Sequence, residues 1–170
     1  MKLLKSAVLL FFSVLIMSLI TSCSEKQEPF HSPYIGVHGL FINSETITDT
    51  KTPVSVGDTL KIPLTLECYM HDIEYFNIKI DREYAKDSIE GQEGFLEFCN
   101  PLYTNVEEGV YYFNPGTQNM GITLLIIPKQ AKEDENTSIP VSLSLKSKCN
   151  EGDDYNPFYL NFNFHIKKSE

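Results

Sequence analysis

Hydrophobic and polar residues alternate along three long segments of the chain, residues 60–68, 139–145 and 158–166. Every second position is aliphatic, aromatic or cysteine, and the positions between are mostly polar. The apolar positions are Leu60, Ile62, Leu64, Leu66 and Cys68, then Ile139, Val141, Leu143 and Leu145, and finally Phe158, Leu160, Phe162, Phe164 and Ile166. A period of two places one face of a β-strand in a core and the other in water. We therefore predict three long, half-buried strands.

Five further segments are candidate strands, and turn-forming sequences separate them. The segments are residues 34–42, 73–81, 95–99, 110–113 and 121–127. The separators include the Gly-Asp pair at 57–58, the glycine-containing stretch 91–94 and the Asn-Pro-Gly sequence at 114–116. Many short strands with frequent turns are typical of a sandwich. We predict an all-β, antiparallel β-sandwich of seven to nine strands over residues 34–168.

The segment 54–62 reads VSVGDTLKI, a short strand, a Gly-Asp turn and the start of a long alternating strand. This sequence resembles the opening of many bacterial immunoglobulin-like modules. The resemblance implies an immunoglobulin-like arrangement of the sandwich. The Trp between two cysteines that marks antibody domains is missing, since the chain contains no Trp.

The N-terminal segment has the organisation of an export signal. Lys2 and Lys5 precede an apolar stretch over residues 7–20, and no further charge occurs before Glu25. The sequence Ile20-Thr21-Ser22-Cys23 resembles the lipobox of bacterial lipoproteins, which implies cleavage after residue 22 and lipidation of Cys23. The alternative is a transmembrane helix, which needs about 20 predominantly apolar residues. We predict a signal peptide over residues 1–22.

Residues 23–33 are the lipidated cysteine and a polar tether, which begins Ser-Glu-Lys-Gln-Glu-Pro after Cys23. This acidic stretch resembles the surface-targeting sequence of Bacteroidota lipoproteins. The whole chain resembles the small lipoproteins common in Bacteroides, a family that implies no particular activity. We expect a lipid-anchored protein of the outer membrane, either surface-exposed or facing the periplasm.

The acidity of the chain bears on its partners. The net charge is −9, and it becomes −11 without residues 1–22, which contain two of the 14 basic residues and none of the 23 acidic ones. Nucleic-acid binding needs Lys and Arg to neutralise phosphates. Nucleic acid is therefore not expected as a partner.

Three cysteines remain for the folded domain, Cys68, Cys99 and Cys149. An exported protein meets an oxidising compartment, which makes pairing plausible. Cys68 and Cys149 each continue the inward positions of a predicted strand, and this favours a Cys68–Cys149 disulfide. The alternative is three buried thiols that behave as small hydrophobic side chains.

The sequence contains no motif for catalysis or for a cofactor. The four histidines, His31, His38, His71 and His165, lack the paired spacing of a zinc site. The acidic segment 151–154 could supply oxygen ligands to calcium, but it lacks the spacing of a calcium loop, and a solvated turn is the alternative. We predict no metal, no cofactor and no catalytic residues.

These features favour a non-enzymatic cell-envelope module that binds a protein or a glycan. Loops at one end of the sandwich are the expected contact surface. The candidate residues are Tyr69, His71, Asp72, Asp153, Asp154 and Tyr155. The alternative for the tyrosines is that they pack on their own sandwich. The alternative functions are a structural or accessory subunit of an outer-membrane uptake or pilus assembly and, with less support, a small hydrolase.

Overall fold

The computed structural model describes residues 33–69, 71–131, 137–148 and 156–167, which belong to one compact unit. In chain order the elements are β1 (Tyr34–Val37), β2 (Leu40–Ile42), β3 (Glu45–Ile47), β4 (Val54–Ser55), β5 (Leu60–Glu67), β6 (Ile73–Ile80), β7 (Ala85–Ile89), α1 (Gln92–Leu96), β8 (Val110–Tyr112), β9 (Asn119–Pro128), β10 (Thr137–Ser147) and β11 (Phe158–Lys167). The predicted signal peptide, the lipidation site at Cys23 and the tether up to residue 32 lie outside the described residues.

The strands form two sheets packed together as a β-sandwich. The first sheet has the order β3-β2-β5-β9-β7, and β1 also pairs with β5. The second has the order β4-β11-β10-β6-β8. All strand pairs are antiparallel except β4 with β11, which is parallel. The predicted all-β sandwich is confirmed.

The alternation in the sequence sorts side chains as predicted. The inward hydrophobic side chains of β5 and β10 are buried, each at most 1% exposed. On β11, Phe164 and Ile166 are buried, while the inward side chains nearer its start are half-buried. These side chains and those of β6 and β9 form one hydrophobic core between the sheets. The core holds the strand register, because a slip by one residue would turn every apolar side chain outward.

The predicted Gly-Asp turn joins β4 to β5. Gly57 has φ of 89°, a left-handed conformation that glycine adopts without a steric cost. The Asp58 carboxylate accepts a hydrogen bond from the Ser55 N–H at 3.0 Å, and the Asp58 N–H donates to the Ser55 carbonyl. The turn therefore closes on itself, as an Asp side chain favours.

Two strand predictions need correction. Residues 95–99 do not form a strand, because Gly91 takes a left-handed conformation with φ of 67° and starts the helix α1. Phe95 turns inward from this helix and packs edge-on against Tyr111 and Phe113. The described residues also contain eleven strands rather than seven to nine, since β3 and β7 were missed and residues 34–42 form two strands. Strands of three to five residues are too short for alternation to reveal them.

Within the described residues, no helix has the length and apolar character needed to cross a membrane.

Candidate functional site

Four tyrosines lie together on the outer face of the second sheet. Tyr75 in β6, Tyr112 in β8 and Tyr159 in β11 occupy positions between the inward residues of their strands. The fourth, Tyr103, lies in the loop before β8. We call these four residues the tyrosine row.

Three rings of the tyrosine row pack against one another and are tilted. Tyr75 is the cross-strand partner of Tyr112, and their ring centroids are 5.7 Å apart with an interplanar angle of 52°. The Tyr103 and Tyr112 centroids are 6.0 Å apart at 58°. Burial, followed by the electrostatic effect of Tyr159, raises the pKa of Tyr75. Tyr159 pairs with Ser144 of β10, so β10 lies between Tyr159 and Tyr75. The row therefore has three packed rings at β6, β8 and the loop before β8, and a fourth ring on β11.

The outer members of the row are well exposed to solvent. Tyr103 is 65% exposed and Tyr159 is 59% exposed. Aromatic rings of this size bury 150–250 Å² when they are covered, as a typical range. The row is an apolar surface on which a partner would gain contact area.

The backbone around Tyr103 is held by hydrogen bonds. The Thr104 hydroxyl accepts from the Tyr112 N–H at 3.1 Å and donates to the Tyr112 carbonyl at 3.3 Å. The Asn100 carbonyl accepts from the N–H groups of Tyr103 and Thr104. Because these bonds fix the loop to β8, little ordering entropy remains to be lost when a partner binds.

An ion pair lies beside the row. Lys146 is the cross-strand neighbour of Tyr75, and its Nζ lies 3.1 Å from a carboxylate oxygen of Glu74. Both side chains are about one-third exposed or less, at 26% and 35%. The two charges compensate each other, so this part of the face is close to neutral.

A shallow depression continues the same face along the strands. Its volume is about 440 Å³, and its polar lining residues include Lys79, Asp81, Ser142, Asn161 and Asn163. Ser142 is the register partner of both Lys79 and Asn161. Asn161 follows Tyr159 on the same side of β11, since side chains alternate. The depression and the tyrosine row are therefore adjacent.

The predicted loop-end surface is described only in part. Asp153, Asp154 and Tyr155 lie outside the described residues, as does the rest of the acidic segment 151–154. Tyr69 is 41% exposed and has a left-handed φ of 52°. Asp72 has a clear structural role, because its carboxylate accepts the Gly116 N–H at 2.9 Å and its carbonyl accepts the Lys148 N–H at 2.7 Å.

His71 lies in the same connection, where its N–H donates to the Cys68 carbonyl. The three described residues of the predicted surface thus lie on the connection between β5 and β6, close in sequence to Tyr75. The structure brings them to the end of the sandwich that carries the tyrosine row. Their role as a binding surface stays a prediction.

The described cysteines are buried thiols. Cys68 is 0% exposed and Cys99 is 3% exposed, and they are not bonded to each other. Burial, with a smaller effect of Glu67, raises the pKa of Cys68 to about 12, and burial raises that of Cys99 to about 11. Cys149 lies outside the described residues, so the Cys68–Cys149 pairing stays a prediction.

A polar cluster of Arg82 and Asp87 lies next to Gly109, the residue that precedes β8. The Asp87 side chain is only 4% exposed, and its carboxylate lies 3.2 Å from the Arg82 guanidinium, which also donates to the Ile78 carbonyl. Burial raises the pKa of Asp87, while Arg82 opposes this change. Burial, and next the charge of Asp87, raise the pKa of Tyr111 to about 12. This compensated cluster fixes the chain between β6 and β7.

Sequence reasoning missed the tyrosine row, although part of its signal was present. Tyr159 stands among the outward positions of the β11 pattern, and Tyr75 and Tyr112 lie in predicted strands. What the pattern lacked was the register, which makes Tyr75 and Tyr112 neighbours across β6 and β8. Tyr103 had no strand pattern at all, because it lies in a loop.

Within the described part of the chain, no group of three or more His, Cys, Asp or Glu side chains could hold a metal ion. No protein-family model matches the chain, and no curated protein is significantly similar to it.

Proposed function

We propose that this chain is a lipid-anchored, non-enzymatic module of the cell envelope that binds a protein or glycan partner through the tyrosine row. The immunoglobulin-like subtype of the sandwich and the location in the outer membrane belong to this proposal. The anchor rests on the lipobox-like sequence that ends at Cys23. Two or more acyl chains on that cysteine would make the attachment stable.

The observation that carries the proposal is the exposure of several tyrosines on one face of a rigid sheet. Tyr103 and Tyr159 are more than half exposed, and the Tyr103 ring packs on Tyr112, which packs on Tyr75. Tyrosine supplies a large contact area and a polar hydroxyl at low entropic cost, which explains its enrichment in binding surfaces. A fixed aromatic surface of this kind favours recognition of a partner.

The anchoring part of the proposal is tested by metabolic labelling with a fatty-acid analogue. The full chain should incorporate the label, and Cys23→Ala should not. A Cys23→Ser variant serves as a second control, because it keeps a small polar side chain without the thiol. Labelling of either variant at the level of the parent chain would refute the anchor.

The binding part is tested by affinity purification of the full chain from its native membrane after cross-linking. The double variant Tyr103→Ala/Tyr159→Ala should capture at least about tenfold less partner than the parent chain. The reason is that a few aromatic contacts contribute most of the binding energy of an interface. Tyr69→Ala is the matched control, because it removes an exposed tyrosine outside the row. Loss of the partner in Tyr69→Ala but not in the double variant would refute the row and favour the loop-end surface.

A further inference from the structure

We infer that the partner bound at the tyrosine row is a neutral saccharide chain, a conclusion that rests on the proposed function and narrows it. Three properties of the outer face of the second sheet support this assignment. They are the geometry of the aromatic rings, the chemistry of the adjacent depression and the charge of the face.

The aromatic rings suit the apolar faces of sugars. A pyranose ring presents a face of C–H groups with slight positive charge, and the π-face of tyrosine carries the negative part of the ring quadrupole. The centroid separations of 5.7 and 6.0 Å are typical of packed aromatic pairs, so Tyr75, Tyr112 and Tyr103 form one fixed aromatic patch. A sugar face can stack on the exposed ring of Tyr103, and another on the exposed ring of Tyr159.

The tilt of the rings distinguishes between flat, insoluble saccharide surfaces and soluble single chains. Neighbouring rings are inclined by 52° and 58° and do not share one plane. A flat, insoluble surface can contact only one such ring face at a time. A single soluble chain whose units turn relative to one another can contact several. The row is therefore suited to soluble single chains.

The depression beside the row supplies the matching polar groups. The side-chain amides of Asn161 and Asn163 can each donate and accept hydrogen bonds, as can the Ser142 hydroxyl. Sugar hydroxyls likewise donate and accept. A saccharide that stacks on Tyr159 would extend its hydroxyls over Asn161, which lies two residues further along β11. Stacking and hydrogen bonding thus come from one continuous surface.

The charges of the face favour a neutral ligand. Lys146 is paired with Glu74, and Lys79 and Asp81 supply one charge of each sign to the depression. The chain as a whole carries a net charge of −9, which repels anionic polymers. Uronic-acid polymers and phosphorylated glycans are therefore disfavoured relative to neutral chains.

The test is affinity gel electrophoresis of the full lipidated chain in detergent micelles. The probes are soluble neutral β-glucan, α-mannan, galactan and dextran, the neutral glycan fraction released from the producing cells, and polygalacturonate as an anionic polymer. We expect retardation by at least one neutral chain and none by polygalacturonate. Retardation only by the released fraction identifies the cell's own envelope as the source. Retardation by an added polysaccharide identifies an external source.

The variants connect binding to the row. Tyr103→Ala and Tyr159→Ala remove the most exposed rings, and each should weaken retardation by about tenfold or more, as loss of an aromatic contact that dominates binding does. Asn161→Ala should also weaken it, whereas Phe98→Ala, which removes an exposed ring that borders β9 of the first sheet, should leave it unchanged. Far-ultraviolet circular dichroism and the melting temperature should match those of the parent chain. A variant that fails this check is replaced by the conservative Tyr→Leu change at the same position.

The outcomes separate this inference from the proposed function. Absence of row-dependent retardation by every neutral glycan overturns the inference, and so does retardation by polygalacturonate alone. If the native partner is still lost in Tyr103→Ala/Tyr159→Ala but resists periodate and is destroyed by protease, the partner is a protein. In that case the proposed function stands, and the inference that the partner is a saccharide is wrong. If capture of the native partner does not depend on the row, the function fails as well.

Discussion

At the scale of single residues, Gly109 illustrates how one position holds the loop that carries Tyr103. Its φ of 69° is left-handed, and its carbonyl accepts the Ile78 N–H at 2.8 Å. A Cβ at this position would lie 2.6 Å from the Ile78 carbonyl oxygen and would also meet the Arg82 guanidinium. The backbone of β6 cannot move without disturbing the core, so only glycine fits here.

We expect Gly109→Ala to lower the free energy of unfolding by about 2–5 kcal/mol, from left-handed strain together with overpacking. Urea denaturation followed by circular dichroism measures the change. Gly121→Ala is the matched control, because an added Cβ there meets nothing within 4 Å. Equal stability of Gly109→Ala and the parent chain would contradict the contact described.

A second residue-scale prediction concerns the Cys99 thiol. Burial raises its pKa from 9.0 to about 11, which lowers the thiolate fraction at mildly alkaline pH by about 100-fold. Since only the thiolate reacts, native Cys99 should alkylate at least about 100-fold more slowly than in urea. Mass spectrometry of iodoacetamide-treated protein measures this rate, with Cys99→Ser to assign the signal. Equal rates in native and unfolded protein would contradict the burial.

The raised pKa of Cys99 also makes the stability of the folded state depend on pH. The folded state holds the Cys99 proton more tightly than the unfolded state does. The stabilisation is complete below the unfolded thiol pKa of 9.0, and it is lost as the pH rises towards about 11.

At the scale of secondary-structure elements, β10 shows what alternation decides. Its residues pair with β11 on one side and β6 on the other, and Leu143 at its centre is 0% exposed. The outward Ser142 and Ser144 have cross-strand partners on β11 and β6. The strand therefore connects the core to the candidate binding face.

Leu143→Ala should lower the free energy of unfolding by about 2–5 kcal/mol, because it leaves a cavity between the sheets. The matched control is Leu102→Ala, which makes the same substitution at a side chain that is 84% exposed. We expect that control to lie within about 0.5 kcal/mol of the parent chain. Thermal and urea denaturation would measure both. Similar losses in the two variants would contradict the assigned faces.

Elements with long alternation were predictable, and those fixed by local backbone geometry were not. The patterns of β5, β10 and β11 needed only side-chain polarity. The helix α1 depends on the left-handed Gly91, and the aromatic residues around Phe95 suggested a strand instead. Strand β7 reads AKDSI, in which buried Asp87 is compensated by Arg82, a partner that the sequence did not identify.

At the scale of the whole molecule, the site arises where separate parts of the chain meet. Tyr75, Tyr103, Tyr112 and Tyr159 come from two strands in the middle of the chain, a loop and the last strand. The Tyr34 ring of β1 lies 5.5 Å from that of Phe158, whose side chain points inward from β11. The first described strand therefore packs against the side of β11 opposite to Tyr159.

Site-specific photo-cross-linking tests the central claim most directly, because it reports contact at the row in the cell. A benzophenone amino acid would replace Tyr159, and the control would carry it at Lys86, an exposed position on β7 of the other sheet. After irradiation of intact cells, we predict a discrete cross-linked species from position 159 and none from position 86. Cross-linking from position 86 alone, or from neither position, would contradict the tyrosine row as the binding surface.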